Sequence, residues 1–194
     1  RHRLRMSDRP QPEARQLDVL RDPAGSTFAE RRDALVQYYA DRQPDGDKRP
    51  ALGYIELAAR FGCPLIIVFG FEKTQGENPA NRTQAMRAFE RAASQAADAG
   101  MQIAIENEPD FWVDRSGPAA EMLTEIGHPA LKLNWDPANL HWGGHVPTKE
   151  DVELVRPHLA NLHVKDYAPS RPEAPWFPVG EGETPWVDLF SWVL

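Results

Sequence analysis

The strongest constraint on the fold is a series of strand-like apolar runs separated by helix-like stretches. The runs lie at residues 65–69, 102–106, 131–135 and 159–164. The first is apolar throughout, which is typical of a parallel strand buried on both faces. Strands that alternate with helices at intervals of roughly 30 residues predict βαβ units and a parallel sheet. The sheet could be an open doubly wound sheet or a closed barrel.

Apolar residues at helical spacing predict the intervening helices. They are expected over 51–61, 82–99, 118–126, 149–156 and from 186 onward, and Gly62, Gly100 and Gly127 are stop signals. A further helix is expected over 27–41, in a proline-rich first third. Gly70 and Gly76 lack the spacing of a dinucleotide-binding loop. This disfavours the open sheet and favours a barrel.

The composition excludes several function classes. The chain has 22 basic and 29 acidic residues, a net charge of −7, and no basic block beyond Arg1–Arg5. Nucleic-acid binding is therefore not expected, because it depends on clustered positive charge. No apolar run approaches the ~18 residues of a membrane span. A single cysteine, Cys63, excludes an intrachain disulfide, favours the cytoplasm, and is expected to be a buried, inert thiol.

Three successive strands end in side chains that can bind a metal. Glu106, Asp136 and His163 occupy these positions, with spacings near one βα unit. Barrel proteins build their sites where strands end, so these side chains should meet. Two carboxylates and an imidazole suit Mn²⁺, Mg²⁺, Co²⁺ or Zn²⁺, and the absence of thiolates argues against structural zinc. Glu108 competes with Glu106, since strand alternation places both on one face.

Four segments resemble hallmarks of the xylose isomerase-like TIM-barrel superfamily, which includes sugar phosphate isomerases and epimerases. They are Ile-Ala-Ile-Glu-Asn at 103–107, Asn-Trp-Asp-Pro-Ala-Asn at 134–139, His-Val-Lys-Asp at 163–166 and Gly-Glu-Gly at 180–182. They stand in the family's order, and the similarity covers roughly residues 51–190. The resemblance implies a (β/α)₈ barrel holding one divalent cation through Glu106, Asp136, His163 and a second glutamate.

The resemblance also bears on the extent of the chain. The second glutamate has no match, and the run at 65–69 corresponds to the fourth strand of a barrel. We therefore expect residues 1–194 to form a single but incomplete barrel domain that is part of a longer chain, without a recognisable eighth strand, first two strands or much of the third. The native protein is then expected to have about 250 residues or more, as barrels do.

Further substrate contacts are predicted on loops at the same edge of the sheet. They are Asn139, His141, Trp142, Lys165 and Glu181. Asn139 stands where many relatives have a histidine and is interpreted as a contact to a substrate hydroxyl. Lys165 either binds a substrate oxygen or forms a surface pair with Asp166. His141 and Trp142 precede two glycines, in a loop that is either a mobile lid or plain surface.

The predicted function is that of a divalent-metal-dependent sugar isomerase or epimerase. It would act through a cis-enediolate of a small-molecule sugar or polyol, with Glu106 as a catalytic base. A lyase like inosose or dehydroshikimate dehydratase is the alternative, because fold does not determine reaction. An endonuclease for abasic DNA would need more histidines and a basic groove. A non-catalytic metal or sugar binder is a fourth hypothesis, and a homo-oligomer is left open.

Overall fold

The computed structural model describes residues 52–73, 79–173 and 176–194. These residues fall in two units, divided between Cys63 and Pro64. The helix expected over 27–41 lies outside the described residues. The prediction of one barrel domain over the whole chain stays a prediction.

The described part of the first unit is one helix and its terminating turn. Helix α1 spans Leu52–Arg60, in agreement with the sequence pattern. The turn places Gly62 at a φ of 65°, a left-handed conformation that glycine adopts without steric cost. Cys63 follows this turn and is exposed, so the expectation of a buried thiol was wrong. Phe61, Gly62 and Pro64 suggested a buried turn, but the chain here runs over the surface.

The second unit alternates strands and helices. Its elements in chain order are β1 (Leu65–Phe69), α2 (Pro79–Asp98), β2 (Gln102–Glu106), α3 (Ser116–Ile126), β3 (Leu131–Trp135), α4 (Pro137–Trp142), α5 (Lys149–Val155), a 3₁₀ turn (Arg156–His158), β4 (Leu159–Leu162), β5 (Asp166–Tyr167), β6 (Trp176–Phe177) and α6 (Trp186–Val193). The predicted positions of β1–β4 and of the helices between them are confirmed to within a few residues. No described helix is long and apolar enough to cross a membrane.

Strands β1 to β4 form a parallel sheet in sequence order. Leu65 pairs with Gln102, and Glu106 pairs with Asn134. The register shifts between Leu133 and Asn134 where β3 meets β4. Parallel strands with helical crossovers place all their carboxyl ends at one edge. That edge carries the polar residues singled out in the sequence.

The core lies between the central strands and the helices. Helix α2 buries Ala85, Phe89, Ala93 and Ala96 on one face. Small side chains on this face let the helix backbone approach the sheet closely, and Ile103 is 2% exposed in β2. The resulting rigid sheet fixes the positions of the strand ends.

Two features at the carboxyl edge were not predicted. Helix α4 occupies a segment interpreted as a loop, and its N-cap is Asp136, whose side chain accepts a hydrogen bond from the Asn139 amide. Pro137 at the first helical position favours this start. Strands β5 and β6 form a short antiparallel ribbon beside the sheet. Their two-residue length is too short for a hydropathy pattern.

Candidate metal centre

Three side chains converge at the ends of adjacent parallel strands. Glu106 is the last residue of β2, Asp136 follows β3 and His163 follows β4. Each offers a ligand atom, and these atoms all lie within 4.8 Å of one another. His163 Nδ1 is 2.8 Å from Glu106 Oε1 and 3.1 Å from Asp136 Oδ2. The three metal-binding side chains predicted from the sequence therefore lie together in a single cluster.

Asp136 is the most deeply buried member of the cluster, with 0% of its surface exposed. Its Oδ1 accepts a hydrogen bond from the Asn139 amide at 2.9 Å. Its Oδ2 has ion-pair neighbours but no hydrogen bond of normal geometry. Burial raises the pKa of this carboxyl, and Lys165 offsets part of that rise. A buried oxygen without a hydrogen-bond partner, beside a second carboxylate and an imidazole, fits a divalent cation.

Three asparagines hold the two carboxylate-bearing residues in place. Asn134 Nδ2 donates to Glu106 Oε2 at 2.7 Å, and Asn161 Nδ2 donates to Asn134 Oδ1 at 2.7 Å. Asn107, which is completely buried, bonds the backbone of Asp136 twice: its Oδ1 accepts from the amide at 2.7 Å and its Nδ2 donates to the carbonyl at 2.9 Å. These contacts join the tips of β2, β3 and β4 and orient the ligand atoms.

Lys165 lies beside the cluster. Its Nζ donates to Asn139 Oδ1 at 2.7 Å and lies 2.9 Å from Asp136 Oδ2. Asn139 in turn donates through Nδ2 to the Asn107 carbonyl at 2.9 Å. Lys165 thus pairs with Asp136, where the sequence analysis had considered a surface pair with Asp166.

Asp166 instead binds the loop that contains the Gly-Glu-Gly segment. Its carboxylate accepts from the amides of Gly180 at 2.9 Å, Gly182 at 3.0 Å and Thr184 at 3.0 Å. Burial opposes ionisation, but these amides outweigh it and hold the pKa of Asp166 below its usual range. A Cβ at Gly182 would overlap the Asp166 carboxylate. The Asp166–Gly182 contact therefore requires glycine at 182.

Aromatic rings line the same edge. Four of them form a continuous row, called here the aromatic row: His141, Tyr167, Trp176 and Trp142, with neighbouring centroids 5.3, 5.5 and 5.6 Å apart. Lys165 Nζ lies 4.4 Å from the Trp176 ring centre. Burial lowers the pKa of His141, whose Nδ1 is buried without a hydrogen-bond partner in the described part of the chain. Trp142 and Trp176 are exposed.

Two glutamates considered in the sequence lie outside the cluster. Glu108 is partly buried, and burial raises its pKa although Lys165 opposes this. Glu181 is exposed; its backbone carbonyl accepts from Arg171, and within the described residues its carboxylate makes no bond to the cluster. The predicted residues thus fall into three groups. Lys165 and Asn139 contact the cluster of Glu106, Asp136 and His163. His141 and Trp142 belong to the aromatic row, and Glu181 lies apart from both groups.

The sequence analysis assigned no role to Asn107, Asn134, Asn161 or Tyr167. One available signal was a polar residue inside an otherwise apolar strand, as at Asn134, because a buried amide needs partners. For Tyr167, in a two-residue strand, the hydropathy pattern carries no comparable signal.

The chain is similar to proteins of known structure and activity. A curated relative, 2-epi-5-epi-valiolone 7-phosphate 2-epimerase of Actinoplanes sp., is 28% identical over 171 residues, which cover 87% of this chain and 61% of the relative. The chain therefore spans about three fifths of the relative's length.

Solved structures share the fold at low identity. The probable 3-DHS dehydratase AsbF of Bacillus anthracis superposes with a TM-score of 0.66 at 18% identity, over 89% of this chain and 63% of that one. D-allulose 3-epimerase from Methylomonas sp., in complex with D-allulose, gives 0.63 at 16% identity, over 90% and 66%. The family model described as Xylose isomerase-like TIM barrel matches residues 43–194. The chain belongs to the xylose isomerase-like TIM-barrel family.

Proposed function

We propose that this site isomerises or epimerises a hydroxy-carbonyl sugar, with one divalent cation bound by Glu106, Asp136 and His163. The observation that carries the proposal is the convergence of these three ligand atoms within 4.8 Å around a buried carboxylate oxygen that lacks a hydrogen bond. The mixed oxygen and nitrogen donors suit Mn²⁺, Mg²⁺, Co²⁺ or Zn²⁺. The epimerase activities named for the curated relative and the D-allulose enzyme support the reaction class.

The chemistry requires removal of a proton from the carbon next to a carbonyl. A divalent cation supplies Lewis acidity that makes this carbon acid stronger. Glu106 is the proposed base: Asn134 holds its Oε2, so the carboxylate has a fixed orientation. Positioned bases of this kind contribute about 10²–10⁴-fold to rate.

Lys165 and Asn139 are proposed to orient the substrate. The ammonium and the amide lie next to Asp136, where sugar hydroxyls would meet them. Burial raises the pKa of Glu108, and this carboxyl is proposed to carry the proton of a substrate hydroxyl. Such a raised pKa lets a carboxyl exchange a proton nearer neutral pH. Glu181 stays a predicted substrate contact, at an exposed position outside the cluster.

Proton exchange tests the proposal. The chain with MnCl₂ is incubated in D₂O with D-fructose, D-allulose, D-tagatose and isomaltulose, and NMR follows deuterium at the carbon next to the carbonyl and the products formed. We expect exchange with at least one sugar, and Glu106→Gln should slow it by about 10²-fold or more. Glu153→Gln, on an exposed face of α5, is the matched control and should exchange normally. Exchange that is equal in both variants would contradict the role of Glu106.

A lyase is the second candidate, favoured by the similarity to the dehydratase structure. It would share the first proton removal and then expel water or an alkoxide from the neighbouring carbon. Product analysis separates the two reactions: an isomerase or epimerase returns a sugar of unchanged mass, whereas a lyase gives a conjugated enone that absorbs in the ultraviolet.

A further inference from the structure

The aromatic row has an exposed end that the proposed chemistry does not use. Trp142 is 49% exposed and Trp176 is 43% exposed, and the two rings meet edge to face with their centroids 5.6 Å apart. Neighbouring exposed tryptophans mark an interaction site more often than isolated apolar residues do. The other end is buried and finishes at the unpartnered Nδ1 of His141. The row therefore offers an open apolar surface at the end formed by Trp142 and Trp176.

This surface lies directly beside the metal-binding cluster. Lys165 Nζ lies over Trp176 at 4.4 Å and 2.9 Å from Asp136 Oδ2. Only one side chain thus separates the indole from a proposed ligand oxygen. A substrate whose reacting sugar occupies the cluster would extend toward Trp142 and Trp176 if it carried a second group.

The charges near the row indicate what that second group is. The ammonium of Lys165 is already engaged by Asp136 Oδ2, Asn139 Oδ1 and the Trp176 ring. Its positive charge is already compensated by the Asp136 carboxylate, so a phosphate would meet no unpaired positive charge here, whereas a neutral hydroxyl can still accept a hydrogen bond from the ammonium. The electron-rich faces of the indoles favour the C–H face of a neutral sugar ring, which is apolar and weakly positive. The two rings together match one such ring, and a macromolecular partner would need a much larger apolar patch.

We propose that Trp142 and Trp176 form a subsite for a neutral second glycosyl ring, so that the substrate is a glycoside of a hydroxy-carbonyl sugar. This inference rests on the proposed function for the position of the reacting sugar. It assigns Trp142 and Trp176 to specificity for the second ring.

Binding of matched sugars tests the subsite. Dissociation constants of D-fructose and of its glucosides isomaltulose and maltulose are measured by calorimetry with saturating MnCl₂. We expect at least one glucoside to bind about tenfold more tightly than D-fructose, the size of effect expected for one stacked ring. Trp142→Ala should remove this preference and leave D-fructose binding within about twofold, whereas Trp142→Phe should retain most of it.

The controls separate the subsite from the proposed reaction. Val187→Ala, at an apolar position that is 86% exposed on α6, should change neither constant. Equal affinity for all three sugars, no binding of any of them, or an equal loss for all in Trp142→Ala would overturn the subsite. A Trp142-dependent preference without proton exchange would support the subsite and contradict the proposed reaction. Proton exchange on D-fructose without a Trp142-dependent preference for a glucoside would support the proposed reaction and contradict the subsite.

Discussion

At the residue scale, asparagine side chains position two of the three ligand residues of the proposed centre. Asn134 binds Glu106, and Asn107 binds the backbone around Asp136. Such partners fix the direction of a ligand and maintain its charge. Metal affinity is therefore expected to depend on the asparagines as well as on the three ligands.

Replacing Asn134 tests this attribution. Asn134→Ala removes the donor to Glu106 Oε2, and loss of such a partner typically lowers metal affinity by about 10–100-fold. Asn161→Ala removes only the contact that orients Asn134, so a smaller loss is expected. Calorimetric titration of both variants with Mn²⁺ measures which of them loses more metal affinity. A larger loss in Asn161→Ala than in Asn134→Ala would contradict the proposed chain of contacts.

Lys165 should control the pH dependence of the centre. Burial raises the pKa of Asp136 and Lys165 lowers it, so Lys165→Met should raise this pKa further. Because the cation needs the ionised carboxylate, the acid limb of Mn²⁺ binding should move to higher pH. Lys165→Arg keeps the charge and should leave the limb near its original position. Mn²⁺ dissociation constants between pH 5 and 8 provide the check, and an unmoved limb in Lys165→Met would count against this electrostatic role.

At the element scale, the ribbon β5–β6 and the loop at 180–184 are held by one carboxylate. Asp166 accepts three amides of that loop, and Trp186 Nε1 donates to the Lys165 carbonyl at 2.9 Å. Trp176, on β6, pairs with Tyr167 on β5 and contacts Lys165. Asp166 and the three amides that it accepts, called here the clasp, thus connect the aromatic row to the edge of the metal centre.

The clasp should make stability depend on pH. The folded pKa of Asp166 lies below its ordinary value, so its contribution is fully present above the unfolded pKa of about 4 and is lost as pH falls through the folded pKa. Asp166→Asn should lower the free energy of unfolding by about 1.5–3 kcal/mol at pH 7. In urea unfolding curves, the difference in the free energy of unfolding between Asp166→Asn and the wild type should shrink below pH 4.

Gly182 provides an independent measure of the same contact. Gly182→Ala places a Cβ against the Asp166 carboxylate and the Tyr167 carbonyl, so the loop must shift. We expect the midpoint of thermal unfolding to fall. Gly144→Ala is a comparison at a glycine with φ of 85° and open space around it, so it reports backbone strain alone. A smaller effect at Gly182 than at Gly144 would contradict the packed clasp.

The sequence predicted long elements well and short ones poorly. β2 and β3 were predicted because apolar runs and helical stops identify buried strands. Helix α4 and β5–β6 were missed because capping by Asp136 and loop contacts to Asp166 determine them, and these contacts are not periodic. Cys63 was misjudged because apolar neighbours do not reveal which side of a turn is exposed.

At the scale of the whole molecule, the same distinction explains how much of the site was foreseen. Parallel strands bring Glu106, Asp136 and His163 to one edge whatever the loops do, so their proximity follows from chain order alone. The pairing of Lys165 with Asp136 and the continuity of the aromatic row depend on tertiary contacts of single side chains. Those contacts do not follow from spacing.

The described sheet accounts for four parallel strands of the family's barrel. All three proposed ligands come from adjacent strand ends within it, so they all belong to residues 64–194. Catalytic turnover requires more than metal binding, because returning the proton to the substrate and enclosing the substrate involve further groups. The proposed catalysis accordingly depends on metal binding by these three residues.

The direct test is Mn²⁺ titration of the metal-free chain by calorimetry, with metal content checked by mass spectrometry. We predict one bound ion per chain, with binding abolished in Glu106→Gln, Asp136→Asn and His163→Ala and retained in Glu153→Gln. Circular dichroism of each variant establishes that it is folded. Tight, stoichiometric binding that survives all three substitutions would contradict the assignment of the centre.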